Sequence, residues 1–330
     1  MAETALVTGA TGFLGSAVAR ALIAAGHRVR VMARSSSNLR NLSGLNVDMV
    51  GGDLDDPATL GPALKGCTAL FHVAADYRLW VRNPASMYRT NVAGSAALMR
   101  AAAEAGVRRA VYTSSVATLG IDPKGAADEN TPVTLDDMVG HYKRSKYLAE
   151  EAVRKMAAET GLPTVIVNPS TPIGPRDVKP TPTGRTIVMA ASGKMPAYVD
   201  TGLNLVHVDD CAEGHVLAFM RGKPGERYIL GGEDYSLAAM QAEIAAIAGQ
   251  KPATIKLPVT PLYPVAVAGE IVARFTGREP MLTRDTLRMA KKRMFFSSAK
   301  AARELGYRTR PAKQGLADAV AWFREAGYLQ

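Results

Sequence analysis

Apolar residues in the first half of the chain come in two alternating textures. Short, nearly unbroken apolar runs at residues 4–8 (TALVT), 28–33 (RVRVMA), 47–51, 69–73 (ALFHV), 109–113 (RAVYT) and 164–168 (TVIVN) predict strands. Between them the apolar positions recur at helical spacing, which predicts helices over 13–25, 57–65, 85–105 and 138–160. Asp56-Pro57 supplies an N-cap and a first-turn proline. Strands without polar alternation are covered on both faces, and this strand–helix spacing predicts a doubly wound parallel sheet with helices on each side.

After Asn168 the texture changes. Residues 169–184 (PSTPIGPRDVKPTPTG) are rich in proline and predict a long irregular segment, of a kind that usually carries function. Residues 205–220 return to a strand followed by a helix, and 226–230 (ERYIL) predict one more strand. The remainder reads as mostly helical and ends in an amphipathic helix bearing Trp322. The expected division is a dinucleotide-binding part, 1–168 plus 204–230, and a substrate-binding lobe, 169–203 plus 231–330.

Composition narrows the class. The chain has 330 residues, 47% of them hydrophobic and 21% charged, which suits one large globular unit. The first strand is too short for a signal-peptide core and no apolar run approaches a membrane span, so the expected location is cytoplasmic. Cys67 and Cys211 have neither disulfide-framework nor metal-ligand spacing, and no metal is expected. The net charge of +10 comes from scattered Arg and Lys, denser at 284–293 and 303–313. No recognition helix, zinc spacing or aromatic-basic interleaving accompanies it, which argues against nucleic acid. Residues 257–276 are broadly apolar and precede the first basic cluster, a combination that leaves peripheral contact with the inner face of the membrane open.

Residues 4–15 read TALVTGATGFLG, a strand delivering into Gly9, Gly12 and Gly15 before a helix. Amides at a helix N-terminus favour a dinucleotide's diphosphate, and glycines permit the turn, the close approach and the helix–sheet packing. Gly9, Thr11, Gly12, Phe13, Leu14 and Gly15 are the expected contacts. The second strand ends in Met32-Ala33-Arg34-Ser35, with no acidic residue before Asp48. Arg34 suits a 2′-phosphate, so NADP(H) is favoured and NAD(H) is the alternative. Asp53 and Leu54 fall where adenine would lie, and Ala74 and Ala75 leave room for the cofactor to pass.

Tyr142 and Lys146 (YKRSK) sit four apart on a predicted helix and therefore share a face. A tyrosine of ordinary pKa, about 10, is a poor proton donor or acceptor at neutral pH unless a neighbouring cation tunes it. Ser115, after the fifth strand, can donate to the same substrate oxygen. The three residues, downstream of the glycine turn, point to hydride transfer at a carbon bearing oxygen, with Tyr142 moving the proton and Lys146 also reaching the cofactor ribose.

In GATGFLG, FHVAA, TSSVATLG, YKRSK and HVDD the chain resembles the extended short-chain dehydrogenase/reductases along essentially its whole length. That resemblance implies a Rossmann-type α/β fold with a smaller, mostly helical C-terminal substrate lobe. It also implies catalytic Ser115, Tyr142 and Lys146, Asn91 as the residue ordering a proton-relay water, Pro169 beside the cofactor, and a structural Asp209. AADYRLWVRNP, VNPSTPIGPRDVKPTPTG, MPAYVDTGLNLVHVDD and KKRMFFSSAKAARELGY resemble the dihydroflavonol-reductase-like members, above all those called hopanoid-associated sugar epimerases. Nucleotide-sugar epimerases of the family commonly carry an Arg where this chain has Leu203. With Arg34, that difference favours a reductase of a sugar-derived carbonyl, the substrate being a small molecule or a lipid-linked sugar or polyol. A sugar epimerase is the alternative, and a non-catalytic NADP(H) sensor is the reading from another class. Tyr77, Trp80, Thr171, Arg176 and Tyr198 are the expected substrate residues, His207 reads as a hydrogen-bonded strand residue, and a homodimer through the Tyr-x-x-x-Lys helix is expected.

Overall fold

The computed structural model describes residues 3–329 apart from 79, 278, 279 and 281. Its first half runs Thr4–Thr8 (β1), Phe13–Ala24 (α1), Arg28–Ala33 (β2), Asp48–Gly51 (β3), Leu60–Leu64 (α2), Ala69–His72 (β4), Pro84–Tyr88 (α3), Ser95–Glu104 (α4), Arg109–Thr113 (β5), Gly140–Thr160 (α5) and Thr164–Pro169 (β6). There follow Thr171–Ile173 (β7), Pro182–Ala191 (α6), Ala197–Tyr198 (β8), Gly202–His207 (β9), Val208–Arg221 (α7), Arg227–Leu230 (β10), Glu233–Ser236 (β11), Leu237–Ala248 (α8), Ile255–Lys256 (β12), Tyr263–Thr276 (α9), Arg284–Met289 (α10), Arg293–Met294 (β13), Ala299–Leu305 (α11) and Ala312–Glu325 (α12).

Seven strands form one parallel sheet in the order β10-β6-β5-β4-β1-β2-β3. The order reverses beside β1, so the ends of β1 and β4 open a crevice where such sheets take ligands. Unbroken apolar strands are what two covered faces require: Val7, Phe71, Val111 and Val165 pack under α1 and α7, while Leu6, Leu70, Tyr112 and Ile166 pack under α2, α4 and α5. A separate apolar cluster holds the C-terminal lobe, with Ile173, Ile187, Leu205, Ile244, Leu316 and Phe323 at its centre.

Three expectations change. The helix read over 85–105 is broken by a wide π-helical turn at Arg89–Gly94. There Gly94 presses on Leu54, whose carbonyl oxygen a Cβ would approach to 2.7 Å, and Asn91 turns inward. The helix read over 57–65 begins as a 3₁₀ turn at Pro57–Thr59, capped by Asp56, whose carboxylate accepts from the Ala58 amide. The proline-rich segment 169–184 is not irregular throughout. It contains β7 and, from Pro182, the start of α6, with Thr181 accepting from the Gly184 amide at 3.0 Å. β9 lies outside the main sheet: it pairs with β7, β11 and β13, while α7, directly after it, packs back on α1.

Candidate functional site

The crevice begins at the glycine turn. Gly9 has φ +72°, a left-handed conformation that side chains rarely adopt, and a Cβ there would meet the Ala74 amide nitrogen at 2.7 Å. A Cβ on Gly15 would fall 2.1 Å from the Gly9 carbonyl oxygen. The exit of β4 is held to the same turn: Thr8 Oγ1 accepts from the Ala74 amide at 3.2 Å and meets His72 Nδ1 at 2.8 Å, while His72 Nε2 meets Ser95 Oγ at 2.8 Å. Burial, with Lys146 nearby, pushes the His72 imidazole down to about 3, so the ring is neutral.

Helix α1 follows Gly12 with no side-chain cap and no acid in its first turn. Its amides are therefore available to an anion. Arg34 is exposed at the end of β2, Asp53 is partly buried with its carboxylate turned back on the Asp55 amide at 3.0 Å, and Leu54 is buried. This arrangement fits a dinucleotide: glycine turn, uncapped helix and Arg34 lie at the ends of β1 and β2, beside the Ala74–Ala75 passage.

Helix α5 carries the second half of the site. Tyr142 is half-buried beside Ser115, and the Tyr77 ring lies 4.7 Å away, centroid to centroid. Burial, then Tyr77, push the phenol above its ordinary pKa, while the neighbouring Ser115 hydroxyl pulls it back. One turn on, Lys146 is buried; it donates to the Thr113 carbonyl at 2.8 Å and to Tyr112 Oη at 3.4 Å, 5.0 Å from the Tyr112 ring centre. Burial lowers its ammonium to about 8, against the pull of Glu150.

Glu150 is a residue that the sequence reading passed over. It is buried one further turn along the same face, and its carboxylate accepts from Ser114 at 2.5 Å, Thr118 at 3.0 Å, Asn168 at 3.3 Å and Arg154 at 3.1 Å, with Arg227 at 3.7 Å. Burial opposes its charge, but the Ser114 bond, Arg227 and Arg154 hold the carboxyl below the usual range. The signal was the spacing 142, 146, 150, hidden because a glutamate in KYLAEE reads as a solvent-facing helix residue.

Asn91 is buried in the π-helical turn. Its Oδ1 accepts from the Asp76 amide at 2.7 Å, and its Nδ2 donates to the Asp76 carbonyl at 3.2 Å and Ser145 Oγ at 3.0 Å. It thus ties the loop after β4 to α5. Wide helical turns of this kind are frequent at functional sites.

The expected substrate residues divide. Tyr77 and Trp80 stand beside the Tyr142 end of the crevice, Tyr77 on the Tyr142 ring and Trp80 in an adjoining cleft. Thr171 is half-buried in β7 and Tyr198 pairs with Lys256 in a two-stranded ribbon of the lobe. Arg176 is committed elsewhere: its guanidinium is ion-paired with Asp209, and its backbone has φ +75°, alone among the described non-glycine residues. Leu203 packs against the apolar cluster of the lobe. His207 is buried; Nδ1 accepts from the Asp209 amide at 3.0 Å, which leaves Nε2 as donor to Asp318 at 3.2 Å. Pro169 ends β6 and is buried. No group of His, Cys, Asp and Glu suited to a metal occurs among the described residues.

Comparison with known proteins assigns the class. Residues 5–231 match the NAD dependent epimerase/dehydratase family, and the chain belongs to it: it is an NAD(P)-dependent enzyme of the extended short-chain dehydrogenase/reductase type, dihydroflavonol-reductase-like. It is 44% identical to a Synechocystis sp. protein named "Putative dihydroflavonol 4-reductase" over 100% of this chain and 97% of that one. It is 35% identical to "Sterol demethylase protein B" of Methylococcus capsulatus, over 99% and 100%. Among solved structures, that of gox2253 superposes with a TM-score of 0.90 at 56% identity, covering 99% of this chain and 100% of that one.

Proposed function

We propose that the protein is an NADP(H)-dependent reductase, or reversible dehydrogenase, acting on a sugar-derived carbonyl carried by a lipid, such as a hopanoid side chain. In this reading residues 1–168 plus 204–230 bind the cofactor and 169–203 plus 231–330 bind the substrate. The observation that carries it is the Tyr142 phenol, kept protonated by burial beside Ser115, with the Lys146 ammonium one helical turn further on. A protonated phenol next to a hydroxyl donor is what a reduced carbonyl needs: Ser115 orients the substrate oxygen and Tyr142 delivers the proton as hydride arrives at carbon. The bound cofactor supplies that hydride. Lys146 holds a positive charge beneath the phenol and donates to the cofactor ribose, and Asn91 keeps the loop after β4 and helix α5 in register.

Arg34, exposed at the end of β2 without a neighbouring acid, favours NADP(H) over NAD(H). Leu203, where nucleotide-sugar epimerases of the family commonly carry an Arg, favours a reductase over a sugar epimerase. The relatives named as a dihydroflavonol reductase and a sterol demethylase protein fit reduction on a polycyclic scaffold. The reading includes a homodimer through the face bearing α5, and peripheral contact of α9 with the inner face of the membrane.

Fluorescence titration tests the cofactor assignment. NADPH is expected to bind at least about tenfold more tightly than NADH, and Arg34→Ala to erase that difference by removing a charge-assisted contact with phosphate. Tyr142→Phe should retain NADPH and lose its oxidation by carbonyl substrates. Stoichiometric NAD released on denaturing the purified protein would instead establish the epimerase.

A further inference from the structure

A cleft of about 340 Å³ opens where the loop after β4, the start of α5, and helices α9 and α10 meet. Five arginines line it, Arg78 and Arg82 from the loop, Arg274 from α9, Arg284 and Arg288 from α10, against two carboxylates, Glu270 and Asp285. The pairings are uneven. Arg78 is ion-paired with Asp76. Glu270 takes Arg284 twice, from its amide at 2.7 Å and its Nε at 2.8 Å. Asp285 meets Arg288 at 3.4 Å. Arg82 and Arg274 are left without a carboxylate partner among the described residues.

Guanidiniums gathered in one recess repel one another, and a bound oxyanion relieves that repulsion through paired N–H donors. The cleft is also tied to the reacting end of the site. His141, the residue before Tyr142, forms part of its wall, and Tyr77, the residue before Arg78, lies on the Tyr142 ring. Trp80 and Val81 add an apolar side. The cofactor's phosphates have their own cradle at the glycine turn, so a second cationic recess belongs to another ligand.

We infer that this cleft receives an anionic group of the substrate, a carboxylate or a phosphate ester, joined through an apolar segment to the carbonyl that reaches Tyr142. The inference rests on the reductase reading for what the anion is attached to; the anion site itself does not depend on turnover. Substrates bearing such a group would be selected over neutral carbonyl compounds, with Arg82 and Arg274 as the specificity residues.

The full-length protein, with and without saturating NADPH, is titrated calorimetrically in low salt with hexyl phosphate, hexanoate and 1-hexanol. At least one of the two anions should bind at one equivalent per chain, about tenfold or more tighter than 1-hexanol, and the tighter anion identifies the group. Arg82→Gln/Arg274→Gln, both exposed and so expected to fold, should weaken it about tenfold, whereas Lys291→Gln/Lys292→Gln on the neighbouring surface should not. Equal binding of 1-hexanol, an unaffected arginine variant, or equal loss in the lysine control overturns the inference. Protection of Arg82 and Arg274 from phenylglyoxal by hexyl phosphate, mapped by mass spectrometry, reads the contact without any variant, and its absence also overturns it. Failure to bind or oxidise NADPH with anion binding intact would sink the reductase reading alone.

Discussion

Tyr142, Lys146 and Glu150 form a column of three ionisable side chains, one per turn of α5, and their neighbours set each one's charge. Burial drives Lys146 down to about 8, and Glu150 is the group that pulls it up. The other charged and titratable groups near the ammonium are Tyr112, half of its hydrogen-bonding shell, and the neutral His72. Glu150→Gln removes the negative charge while Arg154 and Arg227 remain, so the Lys146 pKa should fall further. The alkaline limb of the affinity for the reduced nicotinamide cofactor is then expected to move to lower pH by roughly half a unit to one unit. An unmoved limb with uniformly weaker binding would mean that Glu150 only packs Ser114 and Thr118.

At the scale of elements, α9 stands apart. Only Ala266 and Ala273 of its residues are buried, while Val265, Ile271 and Val272 are more than half exposed and Phe275 is 84% exposed. Basic side chains, Arg274, Lys291, Lys292 and Arg293, are exposed on it or close after it in sequence. An apolar face with cations nearby suits an anionic bilayer surface. Co-sedimentation with phosphatidylserine-containing vesicles should fall several-fold in Ile271→Asp/Phe275→Asp and weaken as salt is raised toward 0.5 M, where screening shortens to a few ångströms. Binding indifferent to both would remove membrane contact from the reading.

The elements also show what a sequence can carry. The strands of the main sheet were legible because burial on both faces leaves no alternative to a continuous apolar run. The glycine turn and the i, i+4 pair of α5 were legible because backbone geometry restricts which residues can stand there. The wide turn at Asn91 was not, since its extra residue is imposed by Leu54 against Gly94, a contact between segments distant in sequence. β7 was masked by its own proline, and Glu150 became visible only when the end of β5, the turn after it and β6 supplied Ser114, Thr118 and Asn168. The ion pair of Arg176 was hidden for a related reason: its partner, Asp209, comes from another element.

For the molecule as a whole, buried histidines set the response to acid. His72 and His215 are held neutral, at about 3 and about 4, chiefly by burial. Their folded pKa lies below the unfolded value, so their contribution is present above pH 6.5 and is lost as pH falls toward 4. Each contributes up to roughly 3 kcal/mol over that window. Asp177 runs the other way, since burial raises it to about 6 and its cost is relieved as pH falls. Among the most strongly shifted groups of this window two histidines stand against one aspartate, which leaves a net loss, and the urea midpoint should drop between pH 6.5 and pH 4. A midpoint flat across that range would show that one of the rings is charged when folded.

The interlock of Gly9, Gly15 and Ala74 has a consequence for how such a protein can change over generations. What crowds each absent Cβ is main chain, and main chain has no smaller version to which a second mutation could retreat. Substitution at either glycine therefore has no compensating partner, and drift at the cofactor turn is closed. Arg34, Leu203, Arg82 and Arg274 are bounded by no such wall and can be exchanged one at a time. A lineage built on this chain is free to wander in its substrate, and in which nicotinamide it prefers, while remaining bound to a dinucleotide.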